Sequence, residues 1–194
     1  GIERADSVVI DFHKMMLTPA LTTAVLFRNG GHSYETFAQK AEYLLVNGKK
    51  QAWYDSAGRT LECTKKMLGV KVFALIKLYG DKIFADYINT TYDLGYTLAG
   101  MLKRESGFEP ATEPDGNIVC FRYIPQNFRG DINALTAEIR KAIIAEAGFY
   151  IVQTRVSGKT YLRVTLMNPF TGVSDLTALL DRIRSSGDAL AAEY

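Results

Sequence analysis

The sequence predicts an α/β chain made of three successive parts, and three observations lead to that prediction. Residues 7–11 are rich in β-branched residues, which is typical of a strand covered on both faces. Residues 61–104 carry apolar side chains at helical spacing, broken once by Gly80. Beyond Gly107, short alternating segments are interspersed with helical ones, which favours a compact α+β unit.

Composition and charge narrow the class of protein before any motif is considered. The 194 residues suffice for one sizeable core or two small ones, and a net charge of +2 provides no electrostatic footprint for nucleic acid. No apolar stretch is long enough to span a bilayer, and the chain does not open with a basic-then-apolar leader. Two cysteines and two histidines argue against a disulfide framework or a zinc site. We therefore expect a cytoplasmic protein without a metal, a membrane or a nucleic-acid partner.

The first part of the chain is predicted to form a sheet edge. Strands at 7–11 and 22–28 enclose a turn that contains Pro19, and Asn29 and two glycines end the second strand. Residues 33–46 are predicted to form a helix, and 47–60 a mobile polar loop. The aromatic pair Trp53 and Tyr54 on this loop is typical of a lid or a subunit anchor, although it could equally pin the loop to its own domain.

Helices and then an antiparallel sheet follow. We predict helices over 61–78 and 81–104, although Gly95 and Gly100 argue against a single straight second helix. Residues 106–186 predict a strand–helix–strand–strand–helix unit, with the helix capped by Asp131 and a hairpin turn at Ser157. A final helix begins near residue 173, and the tail from residue 185 is expected to be frayed.

Two side chains stand out chemically. Lys14 lies just past a predicted buried strand and adjoins His13, which is how several enzymes place an amine that forms a Schiff base. The alternative is a surface lysine at a strand end. Arg163 lies in mid-strand, on the face opposite Leu162, and its planar fork suits a carboxylate. The alternative is an arginine paired with an acidic neighbour. Arg122, by contrast, is interpreted as structural.

Several motifs together resemble one enzyme family. Residues 5–7 and 11–16 resemble the signature of the pyridoxal-phosphate-dependent group II amino-acid decarboxylases, and the family order continues through residues 22–28, 53–55, 119–125 and 162–169. The resemblance covers nearly the whole chain. It implies a fold-type-I enzyme related to aspartate aminotransferase. In such an enzyme, residues 1–78 would belong to the large cofactor domain, residues 79–105 would form a linking helix, and residues 106–194 would form the small C-terminal domain. It also implies a homodimer with active sites at the subunit interface.

The resemblance assigns roles to four residues. Lys14 would hold pyridoxal 5′-phosphate as a Schiff base, and His13 would lie near the cofactor phosphate, with a structural hydrogen bond at the strand end as its alternative. Arg163 would bind the α-carboxylate of the substrate. Tyr54 would lie on a flexible loop and protonate the α-carbon after decarboxylation.

The resemblance also bears on substrate and completeness. Residues 11–20 and 59–65 most resemble 2,4-diaminobutyrate decarboxylases, while glutamate, cysteine sulfinate, aspartate and aromatic amino acids stay open. Family members are much longer, and their lysine lies well inside the chain. We therefore expect the C-terminal part of a decarboxylase, beginning just ahead of the lysine and partnered by a second copy, a missing N-terminal half, or both. The alternative is a folding or dimerisation fragment without activity of its own.

Overall fold

The computed structural model describes residues 1–38, 54, 56–62 and 64–193. The chain divides into two compact units, Gly1–Phe84 and Ala85–Tyr194, which we call the first and the second unit. The three-part division expected from the sequence, with bounds at 78 and 105, stays a prediction.

The first unit contains a β-hairpin. Strand β1 (Ser7–Asp11) pairs antiparallel with β2 (Thr23–Phe27), and the short helix α1 (Phe12–Met15) follows β1 directly. Both predicted strands and their pairing are confirmed. The predicted burial of β1 is wrong, since Val9 is 62% exposed. Among the described residues β1 pairs only with β2, so a β-branched run here marks a strand without marking what covers it.

The helices of the first unit are shorter than predicted. Helix α2 (Gly31–Thr36) ends well before residue 46, and residues 39–46 lie outside the described part of the chain. Helix α3 (Gly69–Tyr79) begins later than expected, because the described residues of 61–68 form no helix. Gly80 ends α3 with a φ of 75°, a conformation that favours glycine.

Helix α4 (Lys82–Arg104) is one unbroken helix of 23 residues. The predicted helix over 81–104 is confirmed, and Gly95 and Gly100 do not interrupt it. Packing explains Gly95. A Cβ atom at Gly95 would lie 2.2 Å from the carbonyl oxygen of Gly116. Glycine therefore permits a close backbone approach there without breaking the helix. No helix within the described ranges is long and apolar enough to cross a membrane.

The elements of the second unit after α4 are β3 (Phe108–Pro110), β4 (Ile118–Tyr123), α5 (Ile132–Ala145), β5 (Val152–Val156), β6 (Lys159–Thr165) and α6 (Val173–Ala191). The four strands form an antiparallel sheet of order β3-β4-β6-β5. The helices α5 and α6 pack against the sheet and against each other, and their apolar faces meet those of the strands in one core. The observed order matches the predicted strand–helix–strand–strand–helix unit except for one further short strand, β3, at its start.

Helix α6 continues past the point where the sequence predicted fraying. Ser186 and Gly187 are buried, and a Cβ at Gly187 would lie 2.6 Å from Cδ1 of Tyr123. The Tyr123 hydroxyl donates a hydrogen bond to Asp188 Oδ1 at 2.8 Å. Burial, reinforced by the Asp188 carboxylate, raises the pKa of Tyr123 to about 12. The expected fraying from residue 185 is therefore wrong, and the absence of a side chain at Gly187 is what admits this tyrosine ring.

Candidate active site

The lysine predicted to be functional lies at the end of the hairpin. We call residues 12–22, between β1 and β2, the lysine turn. Lys14 lies in the short helix that opens this turn, and its side chain is 64% exposed. Its Nζ lies 2.5 Å from Oδ2 of Asp11, the last residue of β1. The amine is therefore accessible and is held by one carboxylate.

Asp11 connects the two strands at this point. Its other oxygen, Oδ1, accepts a hydrogen bond from the Thr23 hydroxyl at 2.8 Å, and Thr23 is its direct partner across the hairpin. Hydrogen bonds from Lys14 and then from Thr23 lower the pKa of the Asp11 carboxyl below its ordinary value. Sequence reasoning treated Asp11 only as part of a motif. The strand register that brings Thr23 to it is the signal that was missed.

His13 is tied to the backbone of the same turn. Its main-chain N–H and its ring Nδ1 each lie 3.0 Å from the carbonyl oxygen of Thr22. Because a carbonyl can only accept, Nδ1 carries the proton in this arrangement. This is the structural hydrogen bond that the sequence left as an alternative role for His13. It leaves Nε2 as the ring nitrogen able to meet a ligand.

One buried hydroxyl in the lysine turn lacks a partner. Thr18 is 7% exposed, and its Oγ1 has no hydrogen-bond partner among the described residues. Its backbone N–H donates to the carbonyl oxygen of Phe12 at 3.4 Å, which places it within the fold of the turn. Leaving such a group unpaired costs about 1–3 kcal/mol. The turn thus offers an accessible amine, which is the group that can condense with the aldehyde of pyridoxal phosphate, while the Thr18 hydroxyl beside it is buried.

Arg163 lies on β6 in the second unit, opposite Cys120 of β4 and Val152 of β5. Within the described part of this unit, no carboxylate lies within 4.0 Å of its guanidinium, so pairing with an acidic neighbour is not observed. Burial raises the pKa of the Cys120 thiol, and the Arg163 charge acts in the opposite direction. The guanidinium is therefore a partly buried cation with no carboxylate within 4.0 Å among the described residues of its own unit.

Arg122, on the same sheet, contrasts with Arg163. Its Nη2 lies 2.9 Å from both carboxylate oxygens of Glu109, and its guanidinium lies over the ring of Tyr161, 5.4 Å from the centroid. The residue is 8% exposed. These contacts agree with the structural interpretation of Arg122.

Tyr54 is 75% exposed and lies in the first unit, as Lys14 and His13 do. Its neighbours Trp53 and Asp55 lie outside the described residues, so the predicted aromatic pair falls there too. The roles expected for Lys14, His13, Tyr54 and Arg163 stay predictions at this point.

Comparison with known proteins decides the family. A family model described as the pyridoxal-dependent decarboxylase conserved domain matches residues 1–124. The chain belongs to this family, the group II pyridoxal-phosphate-dependent decarboxylases. The resemblance seen in the sequence is therefore confirmed. The matched residues include the entire lysine turn and the strands on both sides of it.

Two curated members of the decarboxylase family match the chain at 25% identity over 199 residues. They are the aromatic-L-amino-acid decarboxylase of Bacillus atrophaeus and an acidic amino acid decarboxylase of Mus musculus. The matches cover 100% and 96% of this chain, but only 41% and 36% of the relatives. The chain therefore spans well under half the length of either relative.

A solved decarboxylase structure shares the fold. It is the glutamate decarboxylase domain of diaminobutyrate-pyruvate transaminase and L-2,4-diaminobutyrate decarboxylase from Vibrio parahaemolyticus. The TM-score is 0.77 at 24% identity, over 97% of this chain and 35% of the other. The α/β arrangement described above is therefore that of part of a decarboxylase. The substrates named for these three proteins differ, so membership of the family leaves the substrate open.

Proposed function

We propose that this chain is the C-terminal part of an enzyme that decarboxylates an L-amino acid to the corresponding amine. The observation that carries the proposal is Lys14, an accessible amine in a turn that lies wholly within the family match. In this proposal the enzyme is of fold type I. The hairpin is an edge of the large-domain sheet, α3 and α4 lead out of that domain, and the four-stranded unit is the small domain.

The cofactor of the family is pyridoxal phosphate, and we assign its attachment to Lys14. His13 Nε2 is the further polar group of the turn that would meet it. When bound, the cofactor supplies an electron sink that makes loss of carbon dioxide from the α-carbon feasible. The remaining steps fall to side chains of the protein.

Arg163 binds the α-carboxylate of the substrate in this proposal. A guanidinium presents parallel N–H donors that match the two oxygens of a carboxylate. The support is that no anion of its own unit, within the described residues, occupies that position. Binding there orients the bond that breaks, because the carboxylate held by Arg163 is the group that leaves.

Tyr54 acts after carbon dioxide has left. Its Oη would deliver a proton to the α-carbon of the substrate, where the proton takes the place of the lost carboxylate. High exposure of the side chain suits a residue that reaches a substrate from a loop.

Among substrates we favour 2,4-diaminobutyrate, on the sequence resemblance in residues 11–20 and 59–65 and on the fold shared with the Vibrio protein. Glutamate, aspartate, cysteine sulfinate and aromatic amino acids are the competing substrates. We also propose that the active enzyme is a homodimer.

The test has two stages. The purified chain is incubated with pyridoxal phosphate and reduced with borohydride, and the adduct is mapped on peptides; we expect the label to be concentrated on Lys14. Carbon dioxide release from the competing amino acids is then measured with the complete enzyme, with Lys14→Ala as its control. Turnover that survives Lys14→Ala would refute the assignment. Labelling scattered over many lysines would show that the turn alone holds no cofactor.

A further inference from the structure

We propose that Tyr87 and Asn117 are positioning residues for Arg163. Their side chains hold the chain where it leaves β6, and they thereby fix the place of the Arg163 guanidinium. The inference rests on the proposed role of Arg163 in binding the α-carboxylate of the substrate. It concerns two side chains that the proposed reaction does not otherwise use.

Arg163 lies at the point where β6 loses one of its two neighbouring strands. Its pair with Val152 is the last that β6 makes with β5, because β5 begins at that residue. The next two residues of β6, Val164 and Thr165, pair only with β4 among the described residues. Beyond Arg163 the strand is therefore supported from one side, and its path depends on what holds its far end.

Two side chains hold that end of β6. The Asn117 amide donates from Nδ2 to the carbonyl oxygen of Leu166 at 3.0 Å, and the Leu166 N–H donates to the Asn117 carbonyl oxygen at 2.9 Å. The side chain thus supplies the second bond of an antiparallel pair, which a backbone N–H supplies in a regular ladder. One residue further on, the Tyr87 hydroxyl of α4 donates to the carbonyl oxygen of Met167 at 2.5 Å.

Both donors are shielded from water. Asn117 is 6% exposed and Tyr87 is 8% exposed, so neither hydrogen bond is readily exchanged for one to water. The two donors also share a support, since Gly116, the residue before Asn117, packs closely against Gly95 of α4. The segment that follows Arg163 is therefore fixed to α4 and to the turn before β4.

A local reporter of the Arg163 position lies directly across the sheet. Cys120 of β4 is the partner of Arg163 in the register of β4 and β6. Burial raises the pKa of the Cys120 thiol, and the positive charge of Arg163 lowers it. Displacing the guanidinium should therefore raise the thiol pKa further, whereas opening the sheet to water should lower it. The two kinds of disturbance thus have opposite signs.

The experiment compares Tyr87→Phe, which removes only a hydroxyl, with Tyr123→Phe as the matched control. Tyr123 is likewise a buried tyrosine of the second unit, but its hydroxyl donates to Asp188 on α6. The rate at which iodoacetamide alkylates Cys120 is followed by peptide mass spectrometry across a range of pH, in the natural chain and in each variant. Arg163→Met provides the profile without the charge, and Asn117→Ala is the second positioning variant.

We expect the alkylation profile of Cys120 in Tyr87→Phe to move to higher pH, by less than in Arg163→Met, and to stay unchanged in Tyr123→Phe. In the complete enzyme, Tyr87→Phe should raise KM by about threefold to tenfold with kcat nearly unchanged, because a misplaced guanidinium binds the carboxylate less well. Asn117→Ala should act in the same direction on both measurements.

A Cys120 profile that is unchanged in Tyr87→Phe, or that moves to lower pH, would overturn the proposal, since the hydroxyl would then serve stability alone. Equal effects of Tyr87→Phe and Tyr123→Phe on KM would overturn it as well. If Arg163→Met leaves KM unchanged, the proposed function of Arg163 fails instead. The Cys120 profile still decides whether Tyr87 places the guanidinium, because alkylation does not depend on turnover.

Discussion

The two units of the chain treat their apolar residues differently. Every residue of the hydrophobic core cluster among the described residues lies in the second unit, where side chains such as Phe121 and Ile139 are fully buried. In the first unit, α3 contains no buried residue although most of its side chains are apolar, and Phe73 is 66% exposed. Both units contain helices and strands, yet only the second unit buries its apolar side chains in a core.

This difference shows that a helix or strand can be regular without being buried. Exposed apolar surface of this kind commonly marks contact with another protein surface. It is therefore what the proposed association requires, whether with a second copy or with an N-terminal half. The lysine turn belongs to the less enclosed unit, whereas Arg163 belongs to the unit with a closed core.

The largest effect on stability is expected when a core side chain of the second unit is removed. Phe121→Ala should lower the free energy of unfolding by about 3–5 kcal/mol, because a large buried side chain is lost and a cavity is left. Val9→Ala in β1 should change it by less than about 0.5 kcal/mol. Urea denaturation followed by circular dichroism measures both. A similar loss in the two variants would show that β1 is as well covered as β4.

A second pair of variants tests the packing of α4. Gly95→Ala should lower the unfolding free energy by about 1–3 kcal/mol, because its new methyl group would collide with the Gly116 carbonyl. Gly100→Ala, on the same helix, meets only the flexible end of Arg104 at 3.5 Å. It should therefore stabilise by up to about 1 kcal/mol through helix propensity. Thermal and urea unfolding of the two variants check the opposite signs.

Variants of the two arginines in the sheet should separate an effect on substrate binding from an effect on protein stability. In the complete enzyme, Arg163→Met should raise KM by about tenfold to a hundredfold, since a carboxylate partner is lost, with stability changed by less than about 0.5 kcal/mol. Arg122→Met should instead destabilise by about 1–3 kcal/mol, because Glu109 loses its hydrogen bonds to Arg122 and keeps only Lys159, at 3.9 Å. Steady-state kinetics and urea unfolding of each variant provide the four values. An unchanged KM would return Arg163 to a structural role.

The smallest effect concerns Tyr123. Tyr123→Phe should cost about 1 kcal/mol through the lost hydrogen bond to Asp188. The pKa of Tyr123 is raised from its ordinary value near 10 to about 12, so the folded state favours the neutral phenol. That stability is fully present below pH 10 and is lost as the pH rises towards about 12. The decline over this window should be smaller in Tyr123→Phe than in the natural chain, as measured by urea unfolding at several pH values.

Much of the fold could be predicted because local patterns determine it. Alternation located β4 and β6, and the Asp131 carboxylate does cap α5, accepting from the backbone N–H of Asn133 at 2.8 Å. The hairpin turn at Ser157 was likewise visible in the chain. Each of these features depends on neighbours a few residues away, which a single sequence displays directly.

The remaining features depend on distant partners. The role of Gly95 requires knowledge of Gly116, and the order of the α6 tail requires the ring of Tyr123. The Lys14 position was predicted from its motif, but the contact between Asp11 and Thr23 appears only once the strand register is known. No pattern within β1 says what lies against it. The burial of β1 depends on residues outside the strand.

The contact between Gly95 and Gly116 also fixes the axial position of α4. Tyr92, one turn earlier on the helix, lies against Gly116 as well, with its ring atoms 3.0–3.3 Å from where a Cβ of Gly116 would stand. Sliding the helix by one residue would bring Leu94 or Tyr96 to the carbonyl, and neither side chain fits in that space. The close packing of Gly95, Gly116 and Tyr92 therefore allows α4 to contact the turn before β4 in only one register.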